Sequence, residues 1–217
     1  MDRGQFVRHA KRHGVYRTIL AYSFTILQRL VDFEVMRVYV AQGSPTMRSE
    51  APDCLTRCVT EAEYEAGIKA LEGDHDRRWA FDRGDRCFAN FHGDKMVGYT
   101  FYGLSATVVR AGLEFRFPDT LIYAYASFTE PTHRGRRLSL VRRNTRNCVD
   151  QEAGIQRRVV WYVVVDNYAA QAAGRLLGGV LTGYLGYVKL GRRFLCFSSR
   201  GCKRAGVSLV RTSPAPR

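Results

Sequence analysis

Residues 121–146 most constrain how this chain can fold, because they join an apolar run, a basic turn and an amphipathic segment. The run at 121–128 is uncharged, aromatic and aliphatic, which predicts a buried strand. After the turn, apolar residues recur on one helical face, at Leu138, Leu140 and Val141. Three arginines occupy the other face: Arg142, Arg143 and Arg146. This pattern predicts a helix whose apolar face lies on a sheet.

The turn itself, residues 129–139, has the composition of an anion site. At the start of a helix, backbone N–H groups lack partners and the positive end of the helix dipole favours phosphate. Gly135 permits a close backbone approach. Three arginines add side-chain charge: Arg134, Arg136 and Arg137. The alternative is an ordinary solvated surface turn.

Two motifs together resemble the GNAT superfamily of acyl-CoA-dependent N-acyltransferases. The first family signature is a strand, a Val-x-Pro-x-x-Arg-Gly-x-Gly-x-Gly/Ala loop and a helix. Pro131, Arg134 and Gly135 match it in register, and Thr129 takes the valine position. The second signature is a strand that ends in Asn, with Ala three residues later and Gly eleven later. The chain is similar there in residues 163–167, followed by Ala170 and Gly178.

The chain departs from the family pattern at three positions within the stretch of resemblance, residues 56–197. Arg137 and Ser139 stand where the loop usually has small residues. Gly174 stands where the family often has a general-acid tyrosine. The resemblance therefore supports coenzyme binding more strongly than any one catalytic residue.

The resemblance implies an α/β (α+β) fold with a mixed, mostly antiparallel central sheet, flanked by helices, whose strands splay at the cofactor cleft. It implies acetyl-CoA or another acyl-CoA as donor, and no metal. The backbone N–H groups after Phe128 and Thr129 would polarise the thioester carbonyl. The implied cofactor-binding residues are Phe128, Thr129, Arg134, Gly135, Arg136, Arg137, Leu138, Ser139 and Asn167. Asn167 has a second possible role, as the cap of the following helix.

Attack by an amine needs a group that removes a proton. The candidates are Glu130, Asp119, and a water ordered by Tyr123 or Tyr125. The alternative roles are an exposed surface carboxylate for Glu130 and a buried core side chain for Tyr123. The departing thiolate would take a proton from Tyr168, with Tyr184 and Tyr187 as substitutes, or need no acid at all.

Composition favours an anionic partner, because 34 Lys and Arg residues outnumber 20 Asp and Glu and give a net charge of +14. Six cysteines without Cys-x-x-Cys spacing indicate reduced thiols rather than a metal site. We find neither a secretory pattern nor an apolar run of about 18 residues, so we expect a cytoplasmic protein.

The chain divides into three predicted parts. Residues 1–53 comprise a basic amphipathic helix, a strand at 31–41 and a linker; residues 54–199 form the acyltransferase domain; residues 200–217 are a basic tail left without structure. The amphipathic helix suits either an anionic membrane surface or packing on its own domain.

Within the domain, a capping box predicts a helix from Thr60 to about residue 72, and a hairpin turns at residues 93–94. Residues 106–117 and 180–190 each predict a strand, the latter paired with 193–197 around a turn; residues 169–177 predict a helix.

Three functions remain open. The first is transfer of an acetyl or longer acyl group from acyl-CoA to a small-molecule or peptide amine. The second uses an acidic acyl-carrier protein to make N-acyl amino acid or acyl-homoserine-type products. The third is a nucleic-acid-binding module, against which stands the absence of any recognisable nucleic-acid-binding motif.

Overall fold

The computed structural model describes residues 7, 10–11, 14–41, 51, 53–71, 75–191 and 193–212. The helices are α1 (Val15–Leu30), α2 (Glu61–Ile68), α3 (Arg78–Asp82), α4 (Leu138–Glu152), α5 (Tyr168–Leu176) and α6 (Arg200–Arg204), with a 3₁₀ turn at Pro131–His133. The strands are β1 (Phe33–Ala41), β2 (Cys54–Val59), β3 (Arg86–His92), β4 (Lys95–Gly103), β5 (Thr107–Arg110), β6 (Leu113–Arg116), β7 (Leu121–Thr129), β8 (Arg158–Val164), β9 (Gly179–Leu190), β10 (Arg193–Ser198) and β11 (Ser208–Arg211).

Eight strands form one sheet in the order β10-β9-β1-β8-β7-β4-β3-β2. The neighbours run antiparallel except β7 and β8, which are parallel. β1 is an interior strand, since Met36 lies opposite Val164 of β8 and Leu185 of β9. The predicted mixed, mostly antiparallel sheet flanked by helices is confirmed.

The parallel pair splays apart, as predicted for the cleft. β7 and β8 pair at Leu121 with Arg158, at Ile122 with Val159 and at Tyr123 with Val160. The paired register stops there, although β7 continues to Thr129 and β8 to Val164. The two strands therefore leave a gap, the cleft gap, along their carboxyl-terminal halves.

A β-bulge lies on the β7 side of the cleft gap. Tyr99 of β4 pairs with Phe128 and Phe101 pairs with Tyr125, so two β7 residues, Ala126 and Ser127, oppose one on β4. Ala126 has φ 47°, a left-handed conformation that costs an alanine about 1 kcal/mol. Because the extra residue shifts the side-chain alternation, Phe128 lies on the same face as Tyr125.

The two sheet faces have different covers. Helices α4 and α5 pack on one face, where Val149 and Ala170 join Ile122 and Trp161 in a core cluster. Helices α2 and α3 cover part of the other face, with Tyr64 and Ala80 in its core. A small sheet in the order β11-β6-β5 covers the rest.

The three arginines of α4 correct the predicted helix orientation. Arg142, Arg143 and Arg146 are exposed by only 0%, 3% and 1%. They face the sheet because their guanidinium groups hydrogen-bond to neutral acceptors, lie over aromatic rings and, at Arg146, pair with the buried carboxylate of Asp150. The helical pattern assigned them to the polar face because it depends on residue type alone and contains no information about their tertiary contacts.

Several local predictions are confirmed. Thr60 and Glu63 form the capping box of α2, the β3–β4 hairpin turns at residues 93–94, and β9 and β10 pair as antiparallel strands. The single strand expected at 106–117 is wrong: the chain turns at Gly112, whose φ is 84°, and forms the β5–β6 hairpin.

The predicted three-part division stays a prediction, but its segments have more structure than expected. β1, from the first part, lies inside the main sheet. The tail at 200–212 contains α6 and β11, which pairs with β6. Of the linker expected at residues 41–53, positions 42–50 and 52 lie outside the described residues, as do residues 213–217.

Helix α1 turns apolar side chains to solvent. Val15, Tyr16, Ile19 and Ile26 are exposed by 60%, 74%, 51% and 60%. At about 100° per residue these positions fall within one arc of the helix. In the described part of the chain, no helix is both long enough and apolar enough to cross a membrane.

Candidate active site

The turn before α4 presents an uncapped helix start. Arg137 occupies the cap position with φ 57° and makes no side-chain cap hydrogen bond, and the first turn carries no acidic residue. Gly135 has φ +82°, and a Cβ built there would meet no atom within 4 Å. Since the first N–H groups of a helix have no acceptor inside it, this turn offers donors and a positive dipole end to an anion.

A cavity of about 350 Å³ opens beside this helix start. One wall is the turn, with Thr129, Arg134, Gly135, Arg137, Leu138 and Ser139. Helix α5 supplies the opposite wall through Ala169, Ala173 and Leu176. A neighbouring cavity of about 520 Å³ shares Gly135 and these α5 residues, and adds Arg17, Arg37 and Tyr168.

Three of the predicted cofactor-binding side chains lie away from this cavity. The Phe128 ring packs on the opposite sheet face, 4.5 Å from the His75 ring centroid. Arg136 forms an ion pair with Asp53. The Asn167 side chain accepts a hydrogen bond from the N–H of Ala170 at 3.0 Å, so it caps α5. Thr129, Arg134, Gly135, Arg137, Leu138 and Ser139 are brought together as predicted.

One of the two predicted carbonyl-polarising N–H groups is already engaged. Glu130 donates its backbone N–H to the carbonyl of Val97 on β4 at 2.8 Å. Because successive N–H groups of a strand point to opposite sides, the N–H of Thr129 points away from β4 and toward the cleft gap. Thr129 is therefore the better placed donor.

The carboxylate of Glu130 lies between Lys95 and His133, and His133 itself lines the cavity. Lys95 Nζ lies 2.7 Å from Oε1 and His133 Nδ1 lies 3.1 Å from Oε2. The hydrogen bond from Lys95 lowers the pKa of Glu130 below its usual value. A carboxylate held ionised in this way is a weak base, so the geometry does not favour Glu130 as the proton acceptor.

Tyr123 lies in the core. It is exposed by 3%, its ring stacks on Tyr125 at 5.2 Å and on Tyr162 at 5.7 Å, and burial raises its pKa well above 10. This environment favours a packing role over a role in ordering water.

Tyr168 lines the larger cavity at the start of α5. Its hydroxyl donates to the carbonyl oxygen of Arg17 at 3.3 Å, and the guanidinium of Arg17 lies 5.7 Å from its ring centroid. Of the three predicted catalytic side chains, Tyr168 is the one that borders the cavities.

No family model matches the sequence, and no curated protein matches it. Solved structures do match: a tandem GNAT protein from the clavulanic acid biosynthesis pathway is similar at 12% identity and a TM-score of 0.52, over 85% of this chain and 55% of that one. The protein has the GNAT fold.

A GCN5-related N-acetyltransferase from Kribbella flavida is also similar, at 13% identity and a TM-score of 0.49, over 73% of this chain and 58% of that one. This chain thus spans slightly more than half the length of either solved chain. The likeness to the tandem GNAT protein is one of fold, and it bears out the resemblance expected from the sequence motifs.

Within this GNAT fold, Trp161 takes the space beside the position where the family often has tyrosine. A Cβ built on Gly174 would lie 3.0 Å from Trp161 Nε1. Trp161 is itself fixed between Tyr39, which stacks on it at 5.8 Å, and the guanidinium of Arg143, 5.7 Å from its ring centroid. A tyrosine at 174 would therefore crowd Trp161.

Arg142 is a functional candidate that the sequence analysis missed. Its Nε donates to Thr100 Oγ1 at 2.9 Å, and its Nη2 donates to Thr129 Oγ1 at 3.2 Å and to Ser127 Oγ at 3.3 Å. Nη1 donates to Asn90 Oδ1. These bonds tie α4 to Ser127 in the bulge and Thr129 at the end of β7, and to β3 and β4 beneath it.

The charge of Arg142 has no carboxylate within ion-pair distance in the described part of the chain. Burial lowers its pKa to about 10, which still leaves it charged at neutral pH. The fold therefore keeps an uncompensated buried cation one turn from the helix start, next to Thr129. No helical or strand periodicity signals such a residue.

Proposed function

We propose that the protein is an N-acyltransferase that takes an acetyl or longer acyl group from acyl-CoA and transfers it to an amine. The observation that carries the proposal is the uncapped, Arg-rich start of α4, which opens on a cavity beside the splayed strands β7 and β8. A pyrophosphate is the kind of anion that such a helix start favours.

In the proposed complex, the N–H groups of Leu138 and Ser139 and the side chains of Arg134 and Arg137 bind the pyrophosphate. The pantetheine arm follows the cavity along α5 toward the cleft gap. The thioester carbonyl then accepts a hydrogen bond from the N–H of Thr129, and the charge of Arg142 supports the negative oxygen that develops there.

The reaction is direct attack. The ammonium first loses one proton to a base; the neutral nitrogen then bonds to the thioester carbonyl carbon and the carbon–sulfur bond breaks. The sulfur leaves as thiolate and takes up a proton, for which Tyr168 is the proposed donor, and the amide nitrogen gives up its second proton, which restores the tyrosine. With Gly174 in place of the frequent tyrosine, water is the other source, since a thiolate is a tolerable leaving group.

Two matched arginine variants test this proposal. Saturating acetyl-CoA, at about 100 times its Kd, stabilises a protein by about 2.7 kcal/mol, which raises the Tm of a domain of this size by roughly 5–10 °C. We expect Arg134→Ala to reduce that rise and Arg136→Ala to leave it intact, because Arg136 pairs with Asp53.

The same assay is repeated with longer acyl-CoA thioesters, free coenzyme A and an acyl-carrier protein, which separates the possible donors. Absence of a Tm rise with every acyl-CoA and with coenzyme A would contradict the proposed function. An equal loss in both arginine variants would contradict the proposed position of the pyrophosphate.

A further inference from the structure

A third cavity, of about 310 Å³, lies on the sheet face away from the α4 helix start. Its lining includes Glu34 and Met36 of β1, Tyr162 of β8 and Tyr187 of β9. Arg37, the residue between Met36 and Val38 on β1, points to the other face, where it donates to Gln171 of α5 at 2.6 Å. Alternation along β1 therefore separates Glu34 from the α5 side of the sheet.

Arg110, the cation that lines this cavity, forms its ion pair with Asp32 and not with Glu34. Arg110 of the small sheet donates to both carboxylate oxygens of Asp32, at 2.7 Å each, and also donates to the hydroxyl of Tyr187. Lys189 Nζ lies 3.7 Å from the same Asp32. Among the described residues, Glu34 has no cation within ion-pair distance, and the Tyr187 hydroxyl is its hydrogen-bond partner.

The cavity is therefore acidic although the chain is strongly basic. Two carboxylates line it, Asp32 and Glu34, against one cation, Arg110, and the nearby Asp166 and Lys189 offset each other. The whole chain carries +14. A local charge of the opposite sign, inside a concave site, favours a cationic ligand over an anionic one.

Burial supports a functional role for Glu34. It raises the pKa of this carboxyl above its usual value, although the hydrogen bond from Tyr187 and the charge of Arg110 act in the opposite direction. A half-buried carboxylate without an ion-pair partner costs stability at neutral pH. Groups that cost stability in this way are found mostly at functional sites, where a ligand can supply the partner.

The cavity borders the cleft gap. Tyr162, which lines the cavity, stacks on Tyr123 of β7 at 5.7 Å. Tyr123 and Val160 form the last pair before β7 and β8 separate, and Tyr162 lies two residues beyond on β8. A ligand in this cavity thus approaches the gap from the face opposite the α4 helix start.

We infer that this cavity binds the acyl acceptor, a cationic amine whose ammonium group pairs with Glu34. That this amine is the acyl acceptor rests on the proposed function, whereas its binding at Glu34 does not. Arg110 and Asp32, already paired with each other, line the same cavity.

Calorimetric titration tests the inference without any acyl donor. The probes are 1,5-diaminopentane, 1,5-pentanediol and glutarate, which share a five-carbon skeleton and differ in charge. We expect saturable binding of the diamine alone, weakened tenfold or more in Glu34→Gln. Glu114→Gln is the matched control, because Glu114 pairs with Arg116 on the small sheet and does not line the cavity.

Equal binding of the diol, unchanged diamine binding in Glu34→Gln, or no diamine binding would each overturn the inference. Turnover then separates it from the proposed function. If acyl-CoA is bound and consumed but the KM for diamine is the same in wild type and Glu34→Gln, the inference fails alone. If diamine binds at Glu34 but no acyl-CoA binds, the proposed function fails alone.

Discussion

Replacement of Arg142 by methionine tests how α4 is fastened to the bulged strand β7. The substitution keeps an unbranched side chain of similar length and removes four hydrogen bonds, to Thr100, Asn90, Ser127 and Thr129. Hydrogen bonds to a charged group contribute at least about 1.5 kcal/mol each. Thr100 and Ser127 keep each other as partners at 2.9 Å, whereas Asn90 Oδ1 loses its donor.

An opposing contribution comes from the buried charge. A pKa lowered from 12.5 to about 10 corresponds to roughly 3 kcal/mol of desolvation, which methionine does not incur. The hydrogen bonds outweigh this cost, so we expect the free energy of unfolding to fall by about 3 kcal/mol. For a chain of this size the Tm should fall by roughly 6–12 °C.

Urea unfolding, followed by the fluorescence of the two tryptophans, measures the change. Arg142→Lys should lose less, because an ammonium keeps the charge and up to three donors but not the planar fork. Arg200→Met is the control, since Arg200 is exposed at the start of α6 and such surface changes stay within about 0.5 kcal/mol. An Arg142→Met protein as stable as wild type would refute the reasoning.

Three further predictions concern other parts of the molecule. Glu34→Gln should raise the Tm at pH 7, because a carboxyl with a raised pKa stabilises the fold only when protonated; the gain should vanish as the pH falls below about 4, checked by thermal scans across pH. Gly174→Tyr should destabilise the fold by about 1–3 kcal/mol in urea, because its Cβ meets Trp161, and a neutral result would contradict that packing. We propose that the exposed apolar arc of α1 binds anionic membranes: sedimentation with vesicles containing phosphatidylserine should fall in Ile19→Glu and stay unchanged in Val108→Glu, an exposed apolar residue on β5, whereas equal binding of both would count against it.

The features that the sequence predicted correctly depend on neighbours along the chain. The strand, turn and helix of residues 121–152 follow from an apolar run, Gly135 and a helical repeat in direct succession. The capping box of α2 is likewise a contact between residues three apart, Thr60 and Glu63. Short-range signals of this kind determine element type and the position of the helix start that forms the site.

The features that the sequence did not predict depend on distant partners. β1 lies between β8 and β9, more than a hundred residues away, and no local pattern in β1 specifies those neighbours. The bulge at Ala126 carries no glycine to announce its positive φ. Arg142 is buried because Asn90 and Thr100 of other strands accept its hydrogen bonds, which a helical repeat does not reveal.

The cavity at Glu34 was missed for the same reason. Its residues come from β1, β8, β9 and the small sheet, and only the fold brings Glu34, Tyr162 and Arg110 together. Glu34 stands in the sequence as a single acid within an alternating strand, where it is typical of a solvated face. Only the folded structure shows that Glu34 is half-buried and, among the described residues, has no ion-pair partner.

Backbone amide chemical shifts during titration with coenzyme A test the central claim most directly, since they report which N–H groups the ligand contacts. The account predicts that the amide signals of Gly135, Leu138 and Ser139 shift with one shared saturation curve, together with that of Thr129 when the ligand is acetyl-CoA. Saturable binding that leaves these amides unmoved, or no binding of coenzyme A, would contradict it.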